Sequence, residues 1–169
     1  MPETPVPQEG TKGNYMSTNA ELYEQDFYAW TQATAKCIRA AKWDALDREA
    51  LAEEVESLGK SETRELEHRL EVLVVHLLKW RYQPQKRVRG TSWLRTILEQ
   101  RRRLQRLLTQ SPSLRPTLPT VLAESYAYIR KCASLETRLP LTTFPEICPW
   151  ELEEEILNDD FWPGGEPTP

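Results

Sequence analysis

The chain has 169 residues, 28% of them charged and 39% hydrophobic, values ordinary for a soluble domain that buries about 70% of its unfolded surface. Its 22 Lys and Arg against 26 Asp and Glu leave a net charge of −4, which argues against indiscriminate nucleic-acid binding by the whole surface. Cys37, Cys132 and Cys148 form no C-x-x-C pair and read as reduced, buried thiols of a cytoplasmic protein; neither a secretion leader nor a membrane anchor is expected.

Residues 1–19 carry three prolines and two glycines with almost nothing to bury, so a disordered tail is expected there, and residues 164–169 are expected to be disordered too. Ser17, Thr18 and Asn19 offer helix N-caps. From Ala20 to Lys42 the residues Tyr23, Phe27, Trp30, Thr34, Ile38 and Ala41 share one face, which predicts an amphipathic helix of about six turns with Cys37 beside its stripe. Trp43–Leu46 is a short connection, and Asp47 is placed to cap the next helix. In that helix Leu51, Val55 and Leu58 fall on one side, and the spacing onward through Glu62 to Leu66 favours a helix that continues through Gly59.

The stretch from Thr63 to Gln83 organises the rest. Leu66, Leu70, Leu73, Leu77 and Trp80 recur at spacings of four and three, and from Val72 to Leu78 only His76 is polar. A helix apolar nearly all round belongs inside a protein or a membrane, and this run falls far short of the roughly 20 residues a span requires. It is read as the central helix of a bundle. Pro84 ends it, and residues 84–91 form a basic loop with Gly90 at a turn. Ser92 is expected to cap a fourth segment with Leu94, Ile97, Leu98, Leu104 and Leu108 as its buried stripe. Ser111-Pro112 and Arg115-Pro116 make a turn, and Leu118–Leu139 is amphipathic again, with Leu122, Tyr126, Ile129 and Ala133 aligned. Pro140 and Pro145 give an extended connection to a short acidic helix, Pro149–Leu157.

The runs EEVESLGKSE at 53–62, HLLKWRYQP at 76–84, SW at 92–93, TILEQRRR at 96–103, SPSLRP at 111–116, LPLTTFPEICP at 139–149 and DDFWP at 159–163 resemble one family over about residues 20–163. It is an uncharacterised bacterial family, common in cyanobacteria, catalogued as domain of unknown function number twenty-nine. The resemblance implies a small all-helical domain and brings no reaction and no catalytic residue with it.

Charge is segregated. Residues 79–106 hold ten Lys and Arg against Glu99 alone, a net of +9, whereas residues 146–169 hold eight acids and no Lys or Arg. Trp80, Tyr82 and Trp93 are interleaved with the basic residues, as in surfaces that stack bases and hold phosphates. One reading is a binding face for nucleic acid or an acidic partner, carried by Lys79, Arg81, Lys86, Arg87, Arg89, Arg102 and Arg103. The favoured reading is that the acidic C-terminal segment lies over this face and the aromatics belong to the core.

Arg101 falls on the helical wheel between Leu94, Leu98, Leu104 and Leu108, so it is expected to be buried with a carboxylate from Glu54 or Glu62, in a network that touches His76. His76 itself reads as a hydrogen-bonded core residue. Glu65 and His68 form a single Glu-x-x-His, and di-iron bundles need two such motifs with two further glutamates, so no metal site is expected. His68 and His76 stand about 12 Å apart along a helix axis, too far to share an ion. No nucleophile motif, phosphate loop or dinucleotide fingerprint is present. The expectation is a single all-α domain over 20–163, an antiparallel bundle of four to five main helices with the short acidic C-terminal helix. It is expected to need no cofactor and to act without catalysis on a protein partner or on itself, with the nucleic-acid or acidic-partner face as the alternative.

Overall fold

The computed structural model describes residues 19–89 and 91–165, apart from the side chains of residues 88, 89 and 91. The expectations for residues 1–18, for the turn at Gly90 and for residues 166–169 lie outside the described residues. Among the described residues there is no strand, and five α-helices account for most of the chain: α1 (Asn19–Gln25), α2 (Phe27–Arg39), α3 (Arg48–Tyr82), α4 (Thr91–Gln110) and α5 (Leu118–Thr137). No helix among them is long and apolar enough to cross a membrane. The chain divides into two compact units, residues 1–57 and 58–169, and the division falls inside α3.

In the first unit the expected six-turn helix is broken at Asp26. Its carboxylate accepts from the Ala29 amide at 2.9 Å and so opens α2, while its own amide donates to Leu22 O at 2.8 Å and closes α1. α2 ends at Arg39, short of the expected Lys42. Ala41 turns left-handed at φ 52°, so that its amide reaches Ile38 O at 3.0 Å and the Lys42 amide reaches Cys37 O at 2.9 Å, the paired bonds of a Schellman stop. Asp47 caps α3 as expected, accepting from the Ala50 amide at 3.1 Å. Tyr23, Phe27 and Trp30 form an aromatic cluster with centroid separations of 4.9 to 6.3 Å. Asn19 bonds Thr34 at 3.2 Å, and Tyr23 Oη donates to Glu54 at 2.8 Å. Little is sealed, however: Trp30, Thr34 and Ala50 are buried, whereas Phe27, Ile38 and Val55 of the expected inward stripes are exposed.

The second unit holds the core. α3 runs unbroken through Gly59, but Leu58, expected on a packed face, is 69% exposed, and within this unit burial begins only at Leu66. From there Leu66, Leu70, Leu73, Val74, Leu77 and Leu78 have no exposed surface, and Trp80 is buried beside them. α4 runs antiparallel to α3: Ser111 Oγ reaches Glu62 at 2.7 Å at one end, and Arg69 reaches Gln100 at 3.3 Å further along. α5 returns alongside the last turns of α3, where Lys79 pairs with Glu136 at 2.6 Å and Gln83 Nε2 donates to Thr137 O at 2.9 Å. Leu122, Tyr126, Ile129 and Ala133 are buried as the spacing requires. On α4 Ile97, Leu104 and Leu108 are buried and Leu94 is half-buried, but Leu98 is 42% exposed. Ser92 lies inside α4 instead of capping it; its carbonyl accepts from Thr96 Oγ1 at 2.9 Å.

Beyond α5 the chain passes Phe144, buried edge-on against Tyr82, to the acidic segment. The expected short acidic helix is present as a five-residue π-helical turn, Leu152–Ile156, shorter than the expected Pro149–Leu157, in which Ile156 N bonds Glu151 O at 2.9 Å and Leu157 N bonds Leu152 O at 2.8 Å. Ile156 and Leu157 anchor it in the core.

Candidate interaction face

α4 has two chemical faces, and Arg101 belongs to the inner one. It has no exposed surface, as the helical wheel requires, but its partners are not Glu54 or Glu62. Its Nε donates to Ile156 O at 2.9 Å, Nη1 to Asp159 O at 3.3 Å, and Nη2 to Glu155 O at 3.3 Å and Phe161 O at 2.7 Å, with the guanidinium 5.3 Å from the Trp162 ring. The π-helical turn and the bend after it leave carbonyls without amide partners, and a guanidinium is the side chain with enough donors to collect them. Burial lowers the Arg101 pKa to about 10, opposed by the negative charge of Asp159. The expected network is therefore not assembled. Glu54 takes the Tyr23 hydroxyl, Glu62 takes Ser111, and His76 Nδ1 donates to Val72 O at 2.8 Å within its own helix. Burial also lowers the His76 pKa, helped by nearby Lys79 and opposed by its backbone bond.

The expected basic face comes apart into bound and free cations. Lys79 is buried against Glu136 and lies 5.0 Å from the Trp93 ring. Arg87 donates to Trp80 O at 2.8 Å, to Gly164 O at 2.8 Å and to Pro163 O at 3.2 Å. Burial lowers its pKa, with the like charge of Arg81 adding to the effect. Gly164 makes this approach at φ +80°, where a Cβ would stand 2.7 Å from Arg81 Nη1. Trp80 packs on Trp162 at 5.1 Å, and Gln105 Nε2 donates to Leu157 O at 3.0 Å. The C-terminal segment thus covers part of the basic stretch, but through backbone carbonyls and rings. Glu153, for its part, pairs with Arg115, outside that stretch. Trp80 belongs to the core cluster, and Tyr82 and Trp93 pack against it, so none of the three forms an open stacking surface.

Arg81 and Lys86 are exposed, and the Arg89 side chain lies outside the described residues. The outer face of α4 carries the rest: Arg95 and Arg102 beside the exposed Leu98, and Arg103 and Arg106 further along, where Glu62 and Glu65 of α3 line the same hollow. Glu99 serves two of them, accepting from Arg102 at 3.0 and 3.1 Å and from Arg103, and these bonds, Arg103's first, hold its carboxyl below the usual range. Arg95 and Arg106 have no hydrogen-bond or ion-pair partner among the described residues. Sequence reasoning misses these two, although the spacing Arg95, Arg102, Arg106 places all three on one side of a helix.

The three cysteines are free and half-buried, and burial raises the Cys148 thiol pKa. Among the described residues no group of three or more His, Cys, Asp or Glu is placed to hold a metal ion, and Glu65 and His68 are both exposed on α3.

These features define a small all-helical protein whose C-terminal segment is clasped by a buried arginine and whose fourth helix turns an arginine-rich side outward. The chain belongs to the family described as Domain of unknown function DUF29, whose model matches residues 22–162. No curated protein and no solved structure matches it.

Proposed function

We propose that this protein is a non-enzymatic interaction module that holds an acidic protein partner on the outer face of α4. The observation that carries this reading is the row of exposed arginines along α4: Arg95 and Arg102 flank exposed Leu98 beside Glu99, and Arg102, Arg103 and Arg106 continue it beside Glu62 and Glu65 of α3. Rim charges of one sign around an apolar centre steer a partner of opposite sign and fix its register. Nucleic acid is the weaker reading, because the aromatics that would stack bases are engaged in packing.

Fluorescence anisotropy with a labelled peptide of alternating Glu and Leu, beside a mixed-sequence 20-nucleotide RNA, tests the choice. The peptide is expected to bind, and Arg95→Glu/Arg102→Glu/Arg106→Glu to weaken it by about tenfold or more. RNA binding tighter than the peptide, with a steep loss on adding salt, would overturn the reading.

A further inference from the structure

The second unit also carries a surface of the opposite kind. Between α5 and residues 146–152 lies an open groove of about 510 Å³, floored by Leu122, Tyr126 and Trp150 and bounded by Ile147, with the carboxylates of Glu146 and Glu151 at its rim. A second hollow of about 460 Å³ shares Pro119, Glu151 and Leu152 with it and adds Leu118, Glu154 and the Arg115–Glu153 pair. Ile147 is 81% exposed, more than any other large hydrophobic residue described. Tyr126 is buried, and its hydroxyl has no hydrogen-bond partner among the described residues.

An acid-rimmed apolar groove calls for an apolar knob flanked by cations. The outer face of α4 is such a knob: Leu98 projects with Arg95 three residues before it and Arg102 four residues after it, about one turn to either side. We infer that the partner of the α4 face is a second copy of this chain, with Leu98 of one copy seated in the Ile147 groove of the other and Arg95 and Arg102 against Glu146 and Glu151. The inference rests on the α4 reading above and names its partner. Knob and groove are different patches, so each contact leaves one of each free. Association therefore continues past the dimer unless the rotation closes it.

Analytical ultracentrifugation of the full chain at low salt, over a wide concentration range, gives the first measurement. A mass above the monomer that rises with concentration is expected, and salt should reduce it. Arg95→Glu/Arg102→Glu and Glu146→Lys/Glu151→Lys should each weaken self-association by about tenfold or more. All four positions are exposed, and circular dichroism confirms that each variant keeps its helices. Mixing the two variants should restore association, because each retains the patch that the other has lost, and a chain carrying all four reversals should associate again. A wild-type chain that stays monomeric throughout, or variants that associate as well as it does, would overturn the inference. The acidic peptide separates the two levels: a monomer that binds it leaves the α4 reading standing, and a monomer that does not sinks both.

Discussion

The two units are built from the same kind of helix and end up differently. The second buries a continuous set of side chains from Leu66 on α3 to Leu157 near the C-terminus and closes it with Arg101. Among its described residues the first buries Trp30, Thr34 and Ala50 and leaves Phe27, Tyr28, Ile38, Trp43 and Val55 at 40% exposure or more. Their sequences show comparable apolar stripes. An amphipathic stripe says which side of a helix is ready to be covered, and it does not say that a cover exists. Fewer than 60 residues also bury a smaller share of their surface, so a short unit has little to close with.

The contrast breaks hardest at Arg101. Arg101→Met would leave the carbonyls of Glu155, Ile156, Asp159 and Phe161 without their donors inside the fold. A loss of about 3–5 kcal/mol is expected in urea denaturation, with faster amide exchange across residues 155–161. Stability equal to or above wild type would mean that the clasp contributes nothing, and that the second unit is sealed by its hydrophobic side chains alone.

Trp30→Ala asks the corresponding question of the first unit. It removes the ring that Tyr23 and Phe27 pack on, at a local cost of about 3 kcal/mol. Hydrogen exchange should lose protection in α1 and α2 while α4 and α5 keep theirs. Uniform loss across all five helices would show that the units unfold as one.

A smaller effect separates the two by pH. His76 sits in the second unit with its pKa held below the ordinary 6.5, chiefly by burial. The unfolded chain therefore takes up a proton first as pH falls, so stability is intact above about 6.5 and declines as pH drops through that value toward the folded one. His76→Gln should flatten this part of the stability profile between pH 7.5 and 5, measured by denaturant titration. An unchanged slope would place the acid sensitivity elsewhere.

The sequence legibly showed the parts that depend on periodicity and failed where partners are backbone. Leu66, Leu70, Leu73 and Leu77 announce a buried helix because their spacing matches its turn, and Arg101 announces its own burial by falling between leucines. Its partners are not legible, because carbonyls at the end of a π-helical turn carry no residue signature, and the carboxylates that charge alone would pair with it, Glu54 and Glu62, are bonded elsewhere. The break at Asp26 had a legible signal, an N-cap residue directly before Phe27, overridden by a stripe that ran across it. On the charged stretch, counting gave the sign of the face but not which cations were already engaged. Lys79 and Arg87 went inward to Glu136 and to backbone carbonyls, leaving α4 to carry the outward charge.

The finest comparison is between two positions whose residues suit each other's backbone better than their own. Gly59 stands inside α3 in helical conformation with nothing within 4 Å of the place a Cβ would occupy, and its neighbours from Val55 to Glu65 are all exposed. Helix propensity alone should act there, so Gly59→Ala is expected to add about 1 kcal/mol and slow local amide exchange about fivefold. Ala41 holds the left-handed stop of α2 at φ 52°, where a Cβ is strained, so Ala41→Gly should also stabilise by about 1 kcal/mol. If the units respond independently, the first change slows exchange around residue 59 and leaves α2 untouched, the second does the reverse, and the double variant adds the two. A gain at one position that spreads to the other would mean that α3 transmits order across the division at Ser57.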